Sequence, residues 1–146
     1  MADADIPYVP SSEERIKTMM ELAQIRKGIK AADLGSGDGR VVIALAQAGA
    51  EAHGFEIDRK LVAESRKKIK EAGLEGKAFI HHQSFWDSNL AGFEVITIYG
   101  ITSIMEKLEK KLKTELKNGA RVISNYFTFP SWEHNEKRER VYLYRK

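Results

Sequence analysis

Apolar positions along the chain alternate between short continuous runs and stretches with helical spacing. Ile16, Met19, Met20 and Ala23 recur three or four residues apart, which predicts a first helix. Ser11 with Glu14 three residues later suggests its start, and a short extended arm ending at Pro10 precedes it. Ile29 to Leu34 reads as a buried strand, and Val41 to Ala48 as an apolar helix stopped by Gly49. The unit then recurs: strand Ala52 to Ile57, helix Arg59 to Ala72 closed by Gly73, strand Lys77 to His82. Phe93 to Tyr99 is strand-like. Ile104, Met105, Leu108, Leu112 and Leu116 mark one face of a helix over Thr102 to Leu116, and Arg121 to Tyr126 is a further strand. Strands separated by helices of about a dozen residues require right-handed crossovers. The expectation is an α/β, doubly wound, mostly parallel sheet of six or seven strands with helices on both faces.

Near the end, Val141 to Tyr144 alternates like a strand, whereas Trp132 to Glu139 is polar without a clear turn signal. A shortened hairpin at one sheet edge is expected there. With 146 residues and no Pro/Gly/Ser-rich linker, a single domain is expected, with an arm and helix over 1–28 and the core over 29–146.

Composition removes some chemistries. The chain has no cysteine, which excludes disulfides, thiolate zinc sites and a cysteine nucleophile. No stretch approaches the roughly 20 apolar residues of a membrane span, and the N-terminus lacks a signal-peptide pattern. A soluble, cytoplasmic protein is the expectation. The net charge of +3 is small but ends in the basic segment KRERVYLYRK, either a solvated surface or a patch for an acidic partner. The four histidines show no metal-ligand spacing, and His81 and His82, adjacent in a strand, should face opposite sides.

Candidate chemistry concentrates in Asp33-Leu34-Gly35-Ser36-Gly37-Asp38-Gly39-Arg40. A glycine loop leaving the first strand lies where open α/β sheets bind ligands, beyond the carboxyl ends of the strands. The dinucleotide fingerprint G-x-G-x-x-G fails, because Arg40 stands where the third glycine belongs. Asp38 would also place a carboxylate beside any pyrophosphate, so a ligand carrying positive charge suits the loop better. Glu56, 21 residues after Gly35, ends the second strand where a βαβ unit puts the acid that accepts hydrogen bonds from ribose hydroxyls. At the third strand end, Ser84-Phe85-Trp86-Asp87 offers groups for an adenine, although Phe85 and Trp86 read equally well as core.

DLGSGDGR and GFEID together resemble the first motif and the acidic post-β2 segment of class I S-adenosylmethionine-dependent methyltransferases, whose fold is Rossmann-like. Pro7-Tyr8-Val9-Pro10-Ser11 and RVISNYFTFPSW are more specifically similar to the small archaeal protein-lysine methyltransferases and their mitochondrial relatives, which act on inner-membrane proteins such as the c-ring protein of ATP synthase. The resemblance implies S-adenosylmethionine as cofactor with no metal. It implies that Asp33, Gly35, Ser36, Gly37 and Asp38 surround the methionine part, that Glu56 and Ile57 border the ribose, and that Ser84 and Phe85 border the adenine. Ser84 stands where many relatives carry an acid or amide. The PYVPS arm resembles the segment closing over the methionine end, which makes Tyr8, Pro10 and Ser11 candidates for lining the site.

The implied partner is a protein presenting an accessible lysine. Only the neutral amine is nucleophilic, and lysine's reference pKa of about 10.4 requires desolvation to supply it. Tyr99, at the end of the fourth strand, and Tyr8 are the candidate catalytic residues, with Tyr126 a secondary wall; each tyrosine could instead be a packing residue. The fourth strand is followed by Tyr99-Gly100-Ile101-Thr102, without the N/D-P-P-Y/F segment typical of enzymes that methylate base amines. Nucleic acid is thereby disfavoured. A small-molecule methyltransferase and a non-catalytic cofactor-binding module are the alternatives.

Overall fold

The structure is a computed structural model describing residues 11–146. The arm through Pro10, with Tyr8, lies outside the described residues. The elements are α1 (Glu13–Ala23), β1 (Lys30–Leu34), α2 (Arg40–Gln47), β2 (Glu51–Glu56), α3 (Arg59–Glu71), β3 (Ala78–His82) and a 3₁₀ turn (Phe85–Asp87). After it come β4 (Val95–Ile98), α4 (Thr102–Glu115), β5 (Arg121–Asn125), β6 (Glu136–Arg138) and β7 (Val141–Arg145). They form one seven-stranded sheet in the order β3-β2-β1-β4-β5-β7-β6. The pairs from β3 to β5 are parallel, and β7 is antiparallel to both β5 and β6. The doubly wound sheet and the short terminal hairpin are therefore present as expected.

Helix α1 begins one residue later than the sequence pattern suggests. Ser12, not Ser11, is the N-cap, its hydroxyl accepting the Arg15 N–H at 3.2 Å. Both serines can cap, and burial decides between them: Ser11 is buried and Ser12 exposed. Strand β4 is also shorter than its apolar run, because Phe93 and Tyr99 flank the paired residues.

The pleat divides each strand between two cores. Ala31, Ala52, Ala78, Val95, Ile123 and Leu143 face α1, α2 and α3. Ala32, Leu34, Ile96, Ile98, Val122 and Tyr144 face α4 through Met105, Leu108 and Leu112. This second face holds one helix where the alternation suggested more. The β3–β4 connection holds only the 3₁₀ turn, and after β5 the chain crosses as an irregular strap. Phe129 and Trp132 of the strap pack on Tyr144, whose hydroxyl accepts the Phe129 N–H at 3.1 Å. Over β2 and β3 the same face carries aromatic rings instead of a helix: His53 stacks on Phe79 and His81, and Phe55 on His81. His81 bonds His53 across the strands, while His82 reaches the Ile57 carbonyl.

Strand order reverses between β1 and β4, since β2 lies on one side of β1 and β5 on the far side of β4. A crevice opens at such a switch point, beyond the carboxyl ends of the strands. Leu34 pairs with Ile98, so Gly35 and Tyr99 leave the sheet side by side at its edge.

Candidate active site

The loop after β1 turns on three glycines with positive φ: Gly35 at 73°, Gly37 at 56° and Gly39 at 87°. Residues with a Cβ avoid that region, which is why glycine punctuates this segment. Gly39 has a second reason, as a Cβ there would meet the Ser65 Cβ at 2.6 Å and push α3 away. The Gly35 and Ser36 amides donate to the Phe55 carbonyl at 2.9 and 3.0 Å, extending the β1–β2 ladder into the loop.

Glu56 fastens the loop to the end of β2. Its Oε1 accepts the Gly37 N–H at 2.8 Å, and its Oε2 accepts those of Ile57 and Asp58 at 3.0 and 2.9 Å. The carboxylate is buried, and these donors occupy three of its roughly four lone-pair sites. Glu56 thus braces two segments while keeping acceptor capacity. Ile57 contributes its backbone to this arrangement.

Asp33 lies at the last buried position before the loop. Thr97 on β4 donates its hydroxyl to Oδ1 at 2.7 Å. Burial pushes the Asp33 pKa from 3.8 up to about 8, against the Thr97 bond, and Glu56 and Asp38 raise it further. Asp33 is therefore largely protonated at neutral pH until positive charge arrives. Sequence reading missed Thr97, because its role depends on the β1–β4 register that pairs it with Asp33.

Asp38 sits differently from the bare charge its position in the loop suggests. Arg40 grips it with Nη2 at 2.6 Å from Oδ2, and Lys68 of α3 reaches the same oxygen at 3.1 Å. Arg40 chiefly, with Lys68, holds the Asp38 carboxyl well below the ordinary carboxylate range, against the opposing effect of burial. The negative charge left for a ligand belongs to Asp33 and Glu56. Arg40 also donates through Nη1 to the Ser11 carbonyl at 3.1 Å, which ties the start of α1 to the loop. An i, i+2 acid–arginine pair was legible in the sequence; the Lys68 contact, 30 residues away, was not.

Ser36 turns inward. Its hydroxyl is buried without a hydrogen-bond partner and lies over Gly54 of β2. A Cβ on Gly54 would stand 2.7 Å from the Ser36 Cβ and 2.8 Å from Val42 Cγ2. Gly54→Ala is expected to destabilise the fold by about 1–3 kcal/mol, the usual cost of overpacking, and to loosen the loop. Urea denaturation checks this; an unchanged midpoint would show that Ser36 can yield freely.

At the end of β3, Ser84 caps the 3₁₀ turn by accepting the Trp86 N–H at 3.2 Å. Phe85 is buried with the α4 core, its ring 4.6 Å from that of Trp86, and Lys107 lies over the Trp86 ring at 4.3 Å. Of the two readings left open for Phe85, its side chain takes the packing one.

On the other side of the crevice, Tyr99 meets Tyr126 with ring centroids 5.4 Å apart. Burial, with Tyr126 adding and Arg15 opposing, raises the Tyr99 pKa above its usual value of 10, so it remains a neutral phenol. The structure thus brings Asp33, Gly35, Gly37, Glu56 and Tyr99 to one rim, with Ser11 joined through Arg40.

The family model for the ANTKMT methyltransferase domain matches residues 33–136, from Asp33 of the loop to the start of β6. The chain belongs to this family. It is 34% identical over 133 residues to a protein-lysine N-methyltransferase of Saccharolobus islandicus, covering 90% of this chain and 83% of that one. It is 39% identical over 127 residues to a lysine N-methyltransferase of Rattus norvegicus whose name gives the ATP synthase c-ring protein as its target. That alignment covers 87% of this chain but only 58% of the rat protein, so the chain spans little more than half the length of that relative. The crystal structure of an RNA methyltransferase from Salinibacter ruber in complex with S-adenosyl-L-homocysteine superposes with a TM-score of 0.87 at 33% identity, covering 94% of this chain and 92% of that one. Within the ANTKMT domain match lie the glycine loop, Glu56, Tyr99 and the strap; α1 and β7 lie outside it.

Proposed function

We propose that the protein is an S-adenosylmethionine-dependent methyltransferase that modifies lysine side chains of proteins. The observation that carries the lysine assignment is the 34% identity with the archaeal protein-lysine N-methyltransferase across 83% of its length. The cofactor assignment is supported by the donor set. A buried Asp33 carboxyl, held protonated for want of a cation, faces a glycine-lined turn beside Glu56, and this combination suits a ligand that is cationic at one end and bears ribose hydroxyls at the other. Asp33, Gly35, Gly37, Glu56 and Ile57 would hold it, with Ser84 beyond β3; Ser36 and Asp38 shape the loop from behind. Bound there, the cofactor supplies a methyl group on an electrophilic sulfonium carbon.

The chain's own contribution is placement and desolvation. In-line transfer needs the donor and acceptor atoms about 3–3.5 Å apart with water excluded. The Tyr99 and Tyr126 rings form an apolar wall next to Gly35, and Tyr99, as a neutral phenol, can accept a hydrogen bond from an amine without adding charge. Desolvation against these rings favours the neutral amine over the ammonium. Among the described residues no helix is long and apolar enough to cross a membrane, and no group of His, Asp or Glu is arranged to hold a metal.

Radiolabelled S-adenosylmethionine tests the proposal when incubated with lysine-rich protein extract and, in parallel, with total RNA. Label in protein, mapped to lysine by mass spectrometry, is expected. Label in RNA alone would overturn the lysine assignment in favour of the chemistry for which the Salinibacter protein is named. Tyr99→Ala is expected to lower turnover by about tenfold or more through lost positioning, with affinity for S-adenosylhomocysteine unchanged. Equal losses in both would place Tyr99 against the cofactor.

A further inference from the structure

Tyr126 departs from the pleat of β5. Val122 faces the α4 core and Ile123 the α1–α3 core, so an extended chain would send Tyr126 to the α4 side with Val122 and Ser124. Its φ is instead 64°, a left-handed conformation uncommon for a residue with a bulky side chain. The backbone is held there by the Tyr126 N–H, which donates to the Arg140 carbonyl at 2.7 Å, and by the Phe127 N–H, which donates to the Asn125 carbonyl at 2.8 Å. The Ser124 hydroxyl donates to the Phe127 carbonyl and closes the turn.

The consequence is a ring moved to Tyr99 and to α1. The Arg15 guanidinium carbon lies 3.9 Å from the Tyr126 ring centroid, and that of Arg140 lies 5.5 Å away. Arg15 is itself fixed, its Nη1 donating to the Glu139 carbonyl at 3.2 Å in the β6–β7 turn. That turn has left-handed residues at both Glu139 and Arg140. Three separate segments therefore converge to hold one strained tyrosine against the strand-end position beside Gly35. Backbone strain of this kind costs on the order of 1–3 kcal/mol and persists only where surrounding structure imposes it. A ring needed only to fill the core would follow the pleat without that cost.

We infer that Tyr126 is a specificity-determining residue whose ring forms, with Tyr99, a slot for the alkyl-amine chain of the acceptor, and that Arg15 and Arg140 are positioning residues that lock the ring in place. The assignment rests on the lysine-methylation proposal for the chemistry of the acceptor. Two aromatic faces suit a methylene chain with a terminal amine, which gains apolar contact along its length and ring-face attraction at its tip in either charge state. The guanidiniums lie against Tyr126 on the α1 and β6–β7 side, where they stiffen the ring and disfavour a second cation at that face.

Tyr126→Asn provides the test, since asparagine tolerates the left-handed backbone while removing the ring. The KM for the lysine-bearing protein is expected to rise by about three- to tenfold, with calorimetric affinity for S-adenosylhomocysteine and the unfolding midpoint little changed. Tyr126→Phe should restore the wild-type KM, because the ring and not the hydroxyl is invoked. Arg15→Gln should give a smaller KM increase that is absent in the Tyr126→Asn background. An unchanged acceptor KM in Tyr126→Asn, or a parallel loss of cofactor affinity and stability, overturns the inference. Failure of the lysine proposal shows separately, as wild-type protein that labels no protein lysine. The slot is then judged by the KM for whichever acceptor the wild type does label, where an unchanged value in Tyr126→Asn overturns it.

Discussion

Glu56→Gln is expected to weaken S-adenosylhomocysteine binding by about 1.5–3 kcal/mol, roughly ten- to a hundredfold, and to lower the unfolding free energy in the same variant. Carboxylate oxygens only accept, and both are engaged by backbone donors: Gly37 on one, Ile57 and Asp58 on the other. A glutamine must turn its amino group toward one of those sides. The less disruptive choice still sets two donors face to face at Gly37 and releases the loop from β2. Leaving a buried donor unpaired costs about 1–3 kcal/mol, so the stability loss should be similar whether glutamine or alanine is introduced. Calorimetric titration and urea denaturation separate the two effects. Lost stability with intact ligand affinity would make Glu56 a brace alone and remove it from the binding site.

The second large effect is pH dependence through Asp33. Its pKa stands at about 8 in the folded protein against an ordinary 3.8. Between those values the folded state holds a proton that the unfolded state has released. Stability of the ligand-free protein should therefore be greatest below pH 4 as far as this group is concerned, and should fall as pH rises toward 8, by at most about 1.4 kcal/mol per unit. Binding of a cationic cofactor has the opposite slope, because the ligand favours the ionised carboxylate. Affinity for S-adenosylmethionine should rise by up to about tenfold per pH unit from 6 to 8 and then level off, with a proton released on binding. Asp33→Asn keeps an oxygen to accept the Thr97 hydroxyl but cannot ionise, and should abolish the Asp33 contribution to both slopes. Calorimetry in buffers of different ionisation enthalpy measures the released proton directly. An affinity that is flat from pH 6 to 8 in the wild type, or a slope that persists unchanged in Asp33→Asn, would show that Asp33 does not face the cofactor's positive charge.

Much of this site was legible locally. A glycine is required wherever the chain takes positive φ, so Gly35, Gly37 and Gly39 announced the loop, and Glu56 announced the end of β2. The partnerships were not legible. Asp38 reads as a free carboxylate until α3 brings Lys68 to it. Ser36 reads as a ligand contact until the absent Cβ of Gly54 is seen to make room for it. Phe85 had two readings because aromatic residues serve core and crevice alike, and its burial behind α4 follows from a short β3–β4 connection. The same limit explains the N-cap of α1, where adjacent serines differ only in which one faces the interior.

The sequence by itself determined the order of strands and helices, the position of the glycine turn and the membership of the acids around it, because these depend on hydrophobic period and backbone sterics within a few residues. Tertiary structure decided which charges are neutralised, which carboxyl is pushed up to about 8, and where Tyr126 points. Burial and electrostatic shifts depend on groups far apart in the chain but a few ångströms apart in space. A left-handed tyrosine exists only because α1, β5 and the β6–β7 turn meet around it.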